Sequence, residues 1–267
     1  MPDTLRLFIS TVAFRLYVFI FLAMYLTASV YKVGPKKTIL FTLSAWFIAY
    51  LSEFSSVRNG IPFGLYHYIP STVDRELWIF GIPFMDSLSF TFLAYASWAT
   101  ARALVSPASG SGMYFRLDED LRGGSGIGRF SFRVVFLAAL LQMLLDVVID
   151  PLTLRGDRWF LGKIYYYPEP GAYFGVTIAN FVGWFIVSFV TLSFWGIIDR
   201  RVKGLYVRSF FPTLDFLGPA LYFIMLVFNL AMTFWIGEYA LGWAGVFIFL
   251  PVTVMLIYRV MGASGRR

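Results

Sequence analysis

Glu53, Asp86, Asp146 and Asp150 are carboxylates set inside otherwise apolar stretches of sequence, and Asn180 and Asn229 are amides in the same kind of setting. An ionisable side chain within a membrane span costs roughly 2.5–3.5 kcal/mol near the centre on insertion scales, so such residues are candidates for function. Asp146 and Asp150 stand four apart, on one face of a helix. Two carboxyl groups this close repel when both are ionised, and a pair that shares a proton offers an acid and a carboxylate from one helical turn. The chemistry on offer is proton donation and acceptance. Pro151 disfavours helical geometry for Asp150, which predicts a helix end there. The competing reading makes Asp150 a helix-end residue paired with Arg155 or Arg158.

The elements that must position these groups follow from composition. The 267 residues are 59% hydrophobic and 20% aromatic, and only 14% are charged, against about 25% in an ordinary soluble domain. Seven apolar segments run approximately over Thr11–Tyr31, Thr38–Phe54, Leu77–Ala103, Phe132–Ile149, Tyr173–Ile198, Leu214–Ile236 and Tyr239–Tyr258. About 20 such residues cross ~30 Å of hydrocarbon. The expected fold is an all-α polytopic transmembrane helix bundle of about seven spans, one integral membrane domain over residues 1–267. The last two spans are joined by a tight turn at Gly237 and Glu238. Arg15, near the start of the first span, is expected to snorkel to the interface. The first apolar stretch reads as a span rather than a cleaved leader.

Most of the 22 Lys and Arg residues, among them Lys32, Lys36, Lys37, Arg102, Arg129, Arg200, Arg201 and Arg259, fall on one face of a seven-span chain. The positive-inside rule then puts the N-terminus outside and the C-terminus in the cytoplasm of a cell-membrane protein. The net charge of +7 expresses that bias and attraction to anionic lipid headgroups. It gives no reason to expect nucleic-acid binding. Residues 106–129, rich in Gly and Ser and mixed in charge, read as a flexible cytoplasmic linker.

Under this topology every intramembrane acid and amide named above lies in the outer half of the bilayer, which predicts one shared polar pocket. The two outer loops, Arg58-Asn-Gly-Ile-Pro-Phe-Gly-Leu-Tyr-His-Tyr68 and Lys163-Ile-Tyr-Tyr-Tyr-Pro-Glu-Pro-Gly-Ala-Tyr-Phe-Gly175, carry more aromatic surface than a solvated loop holds. Single tyrosines there read as interfacial anchors. The clusters together read as a lid over an apolar substrate. Each loop follows a span that ends in an acid, Glu53 or Asp150. With no cysteine and one histidine, His67, thiolate, iron–sulfur, two-haem and polyhistidine di-iron chemistry are excluded. No metal and no cofactor are expected. His67 reads as a structural hydrogen-bonder.

Glu53 followed by Gly60-Ile-Pro-Phe-Gly-Leu-Tyr-His-Tyr68 and Gly81-Ile-Pro83 resembles the first signature of the CruF-type carotenoid biosynthesis family. Leu145-Asp-Val-Val-Ile-Asp-Pro151, Trp159, Gly171-Ala-Tyr-Phe-Gly-Val176 and Asn180-Phe-Val-Gly-Trp184 resemble its second. The resemblance implies a cofactor-independent membrane hydratase that adds water to the terminal C=C of an acyclic carotenoid, giving a tertiary alcohol. Its partners would be a lipophilic carotenoid or isoprenoid, water, the bilayer and other enzymes of the pathway. After Gly81-Ile-Pro83 the chain departs from that pattern, reading Phe84-Met-Asp-Ser-Leu-Ser-Phe90, which adds Asp86.

Such a hydration needs a buried acid, a shelter for a tertiary cation and a base for water. Asp150, Asp146, Glu53 and Asp86 are the catalytic candidates. Asp150 or Asp146 would be the acid, with Glu53 or the other aspartate positioning water. Phe63, Tyr66, Tyr68, Tyr173 and Trp184 would face the substrate, their rings sheltering the cation, and Asn180 would orient water or a carboxylate. Cyclisation or isomerisation of the same cation is the alternative when water is excluded. A proton-coupled transporter is the alternative from another class, set back by the lack of acids in the cytoplasmic half. A non-catalytic pigment-binding protein is a fourth reading.

Overall fold

The computed structural model describes residues 3–106, 108–109, 116–117, 129–202 and 216–262. The linker expected over 106–129 and the basic residues Arg122, Lys203, Arg208, Arg266 and Arg267 lie largely or wholly outside them. Eight helices are described: α1 (Asp3–Phe14), α2 (Leu16–Val33), α3 (Pro35–Asn59), α4 (Phe84–Val105), α5 (Phe132–Thr153), α6 (Ile178–Arg201), α7 (Leu217–Trp235) and α8 (Tyr239–Gly262). Six of them, α2, α3 and α5 to α8, are long and apolar enough to cross a membrane. The chain is an all-α, multi-pass membrane bundle.

The third apolar segment of the sequence, α4, is the axis of that bundle. α4 has 22 residues, about 33 Å of helix, and packs against all six of the long apolar helices. Asp86, Ser87, Ser89, Thr91, Ser97, Thr100 and Arg102 make it less apolar than its neighbours. Its wall is protein rather than lipid, so hydroxyls are tolerated there wherever they find a partner. Aliphatic and aromatic side chains that face outward, such as Leu43, Phe47, Val190 and Phe247, are more than 45% exposed in the isolated chain, as a lipid-facing surface must be.

Local chemistry sets the helix ends. α2 and α3 are joined by one residue, Gly34 (φ 86°), a backbone state that side chains rarely adopt. Pro35 then opens α3, where its missing N–H costs nothing. The expected third span begins late because Trp78–Ile79 (β2) folds back on Ile82–Pro83 (β3) as a two-residue antiparallel ladder. The fifth begins at Ile178 because Gly171 and Tyr173 bridge to Gly175 and Val176 in a tight turn. α7 and α8 meet at Gly237 (φ 80°), as expected.

Two expectations are corrected. α5 does not end at Asp150: it runs through Pro151 to Thr153. Proline removes only its own donor, and the carbonyls that follow are taken up by Leu154 N–H on Asp150 (2.9 Å), Arg155 Nη1 on Pro151 (2.8 Å) and Trp159 Nε1 on Leu152 (3.3 Å). Nor does Arg15 snorkel. The helix breaks there (φ −108°, ψ 32°) into α1 and α2, and the side chain turns inward to 2% exposure. Arg15 Nε and Nη2 form a fork on the Glu76 carboxylate at 2.8 and 2.9 Å, and Asp86 lies 3.4 Å from Nη2. A guanidinium with two carboxylates at hand gains more by pairing than by reaching for water. At the other end of the bundle, Lys37 of α3 pairs with the Asp199 carboxylate of α6.

Removing one partner from a buried ion pair strands the other, at a cost of about 3–5 kcal/mol. Arg15→Met should therefore lower the thermal midpoint in detergent sharply, and the double variant Arg15→Met/Glu76→Leu should recover much of the loss. A single variant that melts with the native protein would contradict this pairing.

Candidate active site

The ends of α2 to α7 nearest the two aromatic loops, together with those loops, enclose a cavity of about 150 Å³. Its roof is made by the two aromatic loops pairing with each other. His67–Tyr68 (β1) runs antiparallel to Tyr165–Tyr166 (β4), with Tyr68 opposite Tyr165, and Ile69 N–H reaches Ile164 O at 2.7 Å. Strand alternation sends Tyr68 and Tyr165 down into the cavity, while Tyr166 is 42% exposed and stacks near His67. Tyr66, Tyr68, Tyr165 and Tyr167 meet edge to face, their centroids 5.4–6.4 Å apart. Burial pushes all four phenols up from their ordinary value, with Glu53 adding to the effect for Tyr66 and Tyr68 and Asp150 for Tyr165 and Tyr167. They are neutral rings and hydroxyl donors at any physiological pH.

Phe63 enters the wall because α6 has no side chain beneath it. A Cβ on Gly183 would stand 2.6 Å from Pro62 O and 2.8 Å from the Phe63 ring. Trp184, next along α6, stacks on Phe90 of α4 at 5.6 Å and meets Phe63 at 5.7 Å. Tyr17, Phe21, Phe92 and Trp159 complete the aromatic lining.

Two sets of acids interrupt this wall. On α5, Asp150 lines the cavity, and Asp146 lies one layer behind it at 2% exposure. The Asn180 amide of α6 donates to both, at 2.7 Å to Asp146 Oδ2 and 2.5 Å to Asp150 Oδ2. Both carboxyl groups accept from one nitrogen, Asn180 Nδ2, and for two buried acids held this close, sharing a single proton relieves their repulsion. Arg155 and Arg158 take no part: both pair with Glu238 at the α7–α8 turn. In the second set Glu53 of α3 accepts from Tyr68 Oη at 3.1 Å and Ser87 Oγ at 3.0 Å, both on Oε2. Asp86 stands nearby with Arg15, whose other partner, Glu76, also accepts from Thr72 Oγ1 at 2.5 Å.

Of the residues expected from sequence, Glu53, Asp86, Asp150, Asn180, Asn229, Phe63, Tyr66, Tyr68 and Trp184 line this one cavity. Tyr173 does not: its ring packs on Phe174 and Phe181, away from the wall. Sequence reasoning missed Arg15 and Glu76, and it missed Tyr165 and Tyr167. Their i, i+2 spacing in the run Tyr165-Tyr-Tyr167 is the signal that could have placed both on one face of a strand. Glu76, in an irregular loop, gives no such signal. Among the described residues no three His, Cys, Asp or Glu side chains gather as a metal site.

No curated protein and no solved structure matches the chain. The carotenoid biosynthesis protein family does, over residues 11–258. The matched stretch contains the whole bundle from the Arg15 break to α8, and with it every residue of the cavity wall. The chain belongs to the carotenoid biosynthesis protein family.

Proposed function

We propose that this membrane protein is a cofactor-independent hydratase, adding water across the terminal C=C of an acyclic carotenoid end group at the cavity beneath the aromatic loops, with those loops on the outer side. The observation that carries the reading is the pairing of two unlike acid sets across one aromatic cavity. Asp150, backed by Asp146 and a neutral amide, is the natural proton donor, and the set next to a guanidinium is the natural acceptor. An apolar cavity of about 150 Å³ admits a benzene-sized group, which suits the branched five-carbon end of a polyene.

Asp150 would protonate the less substituted carbon of the terminal double bond, leaving a tertiary cation. The ring faces of Tyr66, Tyr165 and Trp184 would stabilise it by roughly 2 kcal/mol each in a desolvated site. Tyr68 and Ser87 both occupy Glu53 Oε2, so Oε1 is the oxygen available to hold water and take its proton. The bond formed is C–O to the tertiary carbon, and the proton lost by water goes to Glu53. The aromatic roof supports a second reading, cyclisation or isomerisation of the same cation, wherever it keeps water from that carbon.

Expression in a lycopene-producing host, with pigments separated and weighed, tests the reading: products heavier by one water per reacted end are expected. Unshifted pigments would overturn it, and isomers of unchanged mass would favour the second reading. Asp150→Asn should abolish conversion, by at least 100-fold, in a protein that still melts cooperatively. Glu53→Gln should shift the product mixture away from alcohol toward isomers of unchanged mass. Equal loss of all products in Glu53→Gln would remove Glu53 from the water step.

A further inference from the structure

Below the acid pair, α4, α5 and α6 carry buried polar atoms without protein partners among the described residues. Gln142, 1% exposed, leaves both amide atoms unpaired, and Asp146 Oδ1, one turn above on the same face of α5, is unpaired too. Ser97, Ser188 and Thr191, each 0–1% exposed, also lack partners. Other hydroxyls of the bundle behave differently. Those of Ser52, Ser89, Thr100, Thr153, Thr233 and Thr253 turn back onto the carbonyl four residues earlier at 2.8 Å or less.

Helix register spaces these atoms at successive depths below the acid pair. The Asn180 bonds to Asp146 and Asp150 set the register of α5 against α6, and the Phe90–Trp184 stack sets that of α4. Gln142 lies four residues below Asp146, about 6 Å at 1.5 Å per residue, and Ser188 eight residues beyond Asn180, about 12 Å. Ser97 and Thr191 each lie seven residues beyond the stack, about 10 Å. Buried amides and hydroxyls of this kind are satisfied by water when the protein does not satisfy them.

We propose that Gln142, with Ser188, Thr191 and Ser97, holds a file of water that resupplies protons to the acid pair from the face opposite the aromatic loops. The inference rests on the hydratase reading and extends it. When a polyene end fills the cavity, Asp150 gives its proton to carbon and is left a carboxylate. The pair has then given up its one proton. A water on Gln142 donates to Asp146, which hands the proton on to Asp150 beside the shared Asn180 amide, and that water is reprotonated by the next water in the file. One proton enters below, and the proton released from the added water leaves from Glu53, so charge balances over a turnover. Gln142 is a positioning residue in this scheme, since it touches neither substrate nor the reacting carbon.

Radiolytic hydroxyl-radical labelling of the purified protein reads the water without reference to activity. Leu141 and Leu145, each 1% exposed, should be oxidised in the native protein and lose at least fivefold of that label in Gln142→Leu, with Ser188→Ala intermediate. Native leucines without label, or label unchanged in Gln142→Leu, would overturn the file. In the carotenoid assay Gln142→Leu should keep its first turnover within twofold and lose at least tenfold in steady state. First and later turnovers that fall together, or neither falling, would overturn the proton role. A native protein that makes no alcohol would refute the hydratase reading alone, and the labelling would still decide the water file.

Discussion

Carboxyl groups buried in a membrane bundle must be satisfied by protein, and the half of this molecule beneath the aromatic loops is organised around that requirement. Two solutions are used side by side. Asp146 and Asp150 share the two hydrogens of a single amide, Asn180, which ties α5 to α6. Glu76 and Asp86 share the guanidinium of Arg15, which stands at the break in the first apolar segment and ties the start of α2 to the loop before α4 and to α4 itself. The cost of an unpaired charge in such surroundings makes both knots structural as well as chemical. The difference between them, a neutral bridge on one side and a cation on the other, is what the proposed mechanism uses to set a donor apart from an acceptor across one cavity.

The aromatic loops complete the enclosure by ordinary strand geometry. Pairing His67–Tyr68 with Tyr165–Tyr166 satisfies backbone groups that would otherwise face an apolar space. Its period of two turns every second tyrosine inward. The result is a small chamber walled by ring faces and reached by a few acids, a setting suited to the carbocation of the proposed reaction.

Hydropathy made most of the bundle legible, because spans must be apolar where they meet lipid. It misjudged the residues that meet protein or each other. α4 reads as an ordinary span, yet it is the buried axis, and its Ser and Thr content is the trace of that position. Arg15 was read for a snorkelling residue because its partner Glu76 is 61 residues away in an irregular loop, and no periodicity announces such a pairing. Pro151 argued for a helix end, whereas side chains of Arg155 and Trp159 hold the turn together beyond it. The acids themselves stood out, since in a chain with 15 Asp and Glu a carboxylate inside an apolar run is rare. Tyr173 shows the limit of motif reading: it lies within a signature stretch but turns away from the cavity.

The proposed reaction takes a polyene end as substrate and proton transfer as its first event. Conversion of an acyclic carotenoid by the purified protein in liposomes made with D₂O probes that event directly. Protonation by a buried, solvent-exchanged carboxyl group predicts one carbon-bound deuterium beside each new tertiary alcohol. An alcohol formed without carbon-bound deuterium would contradict it.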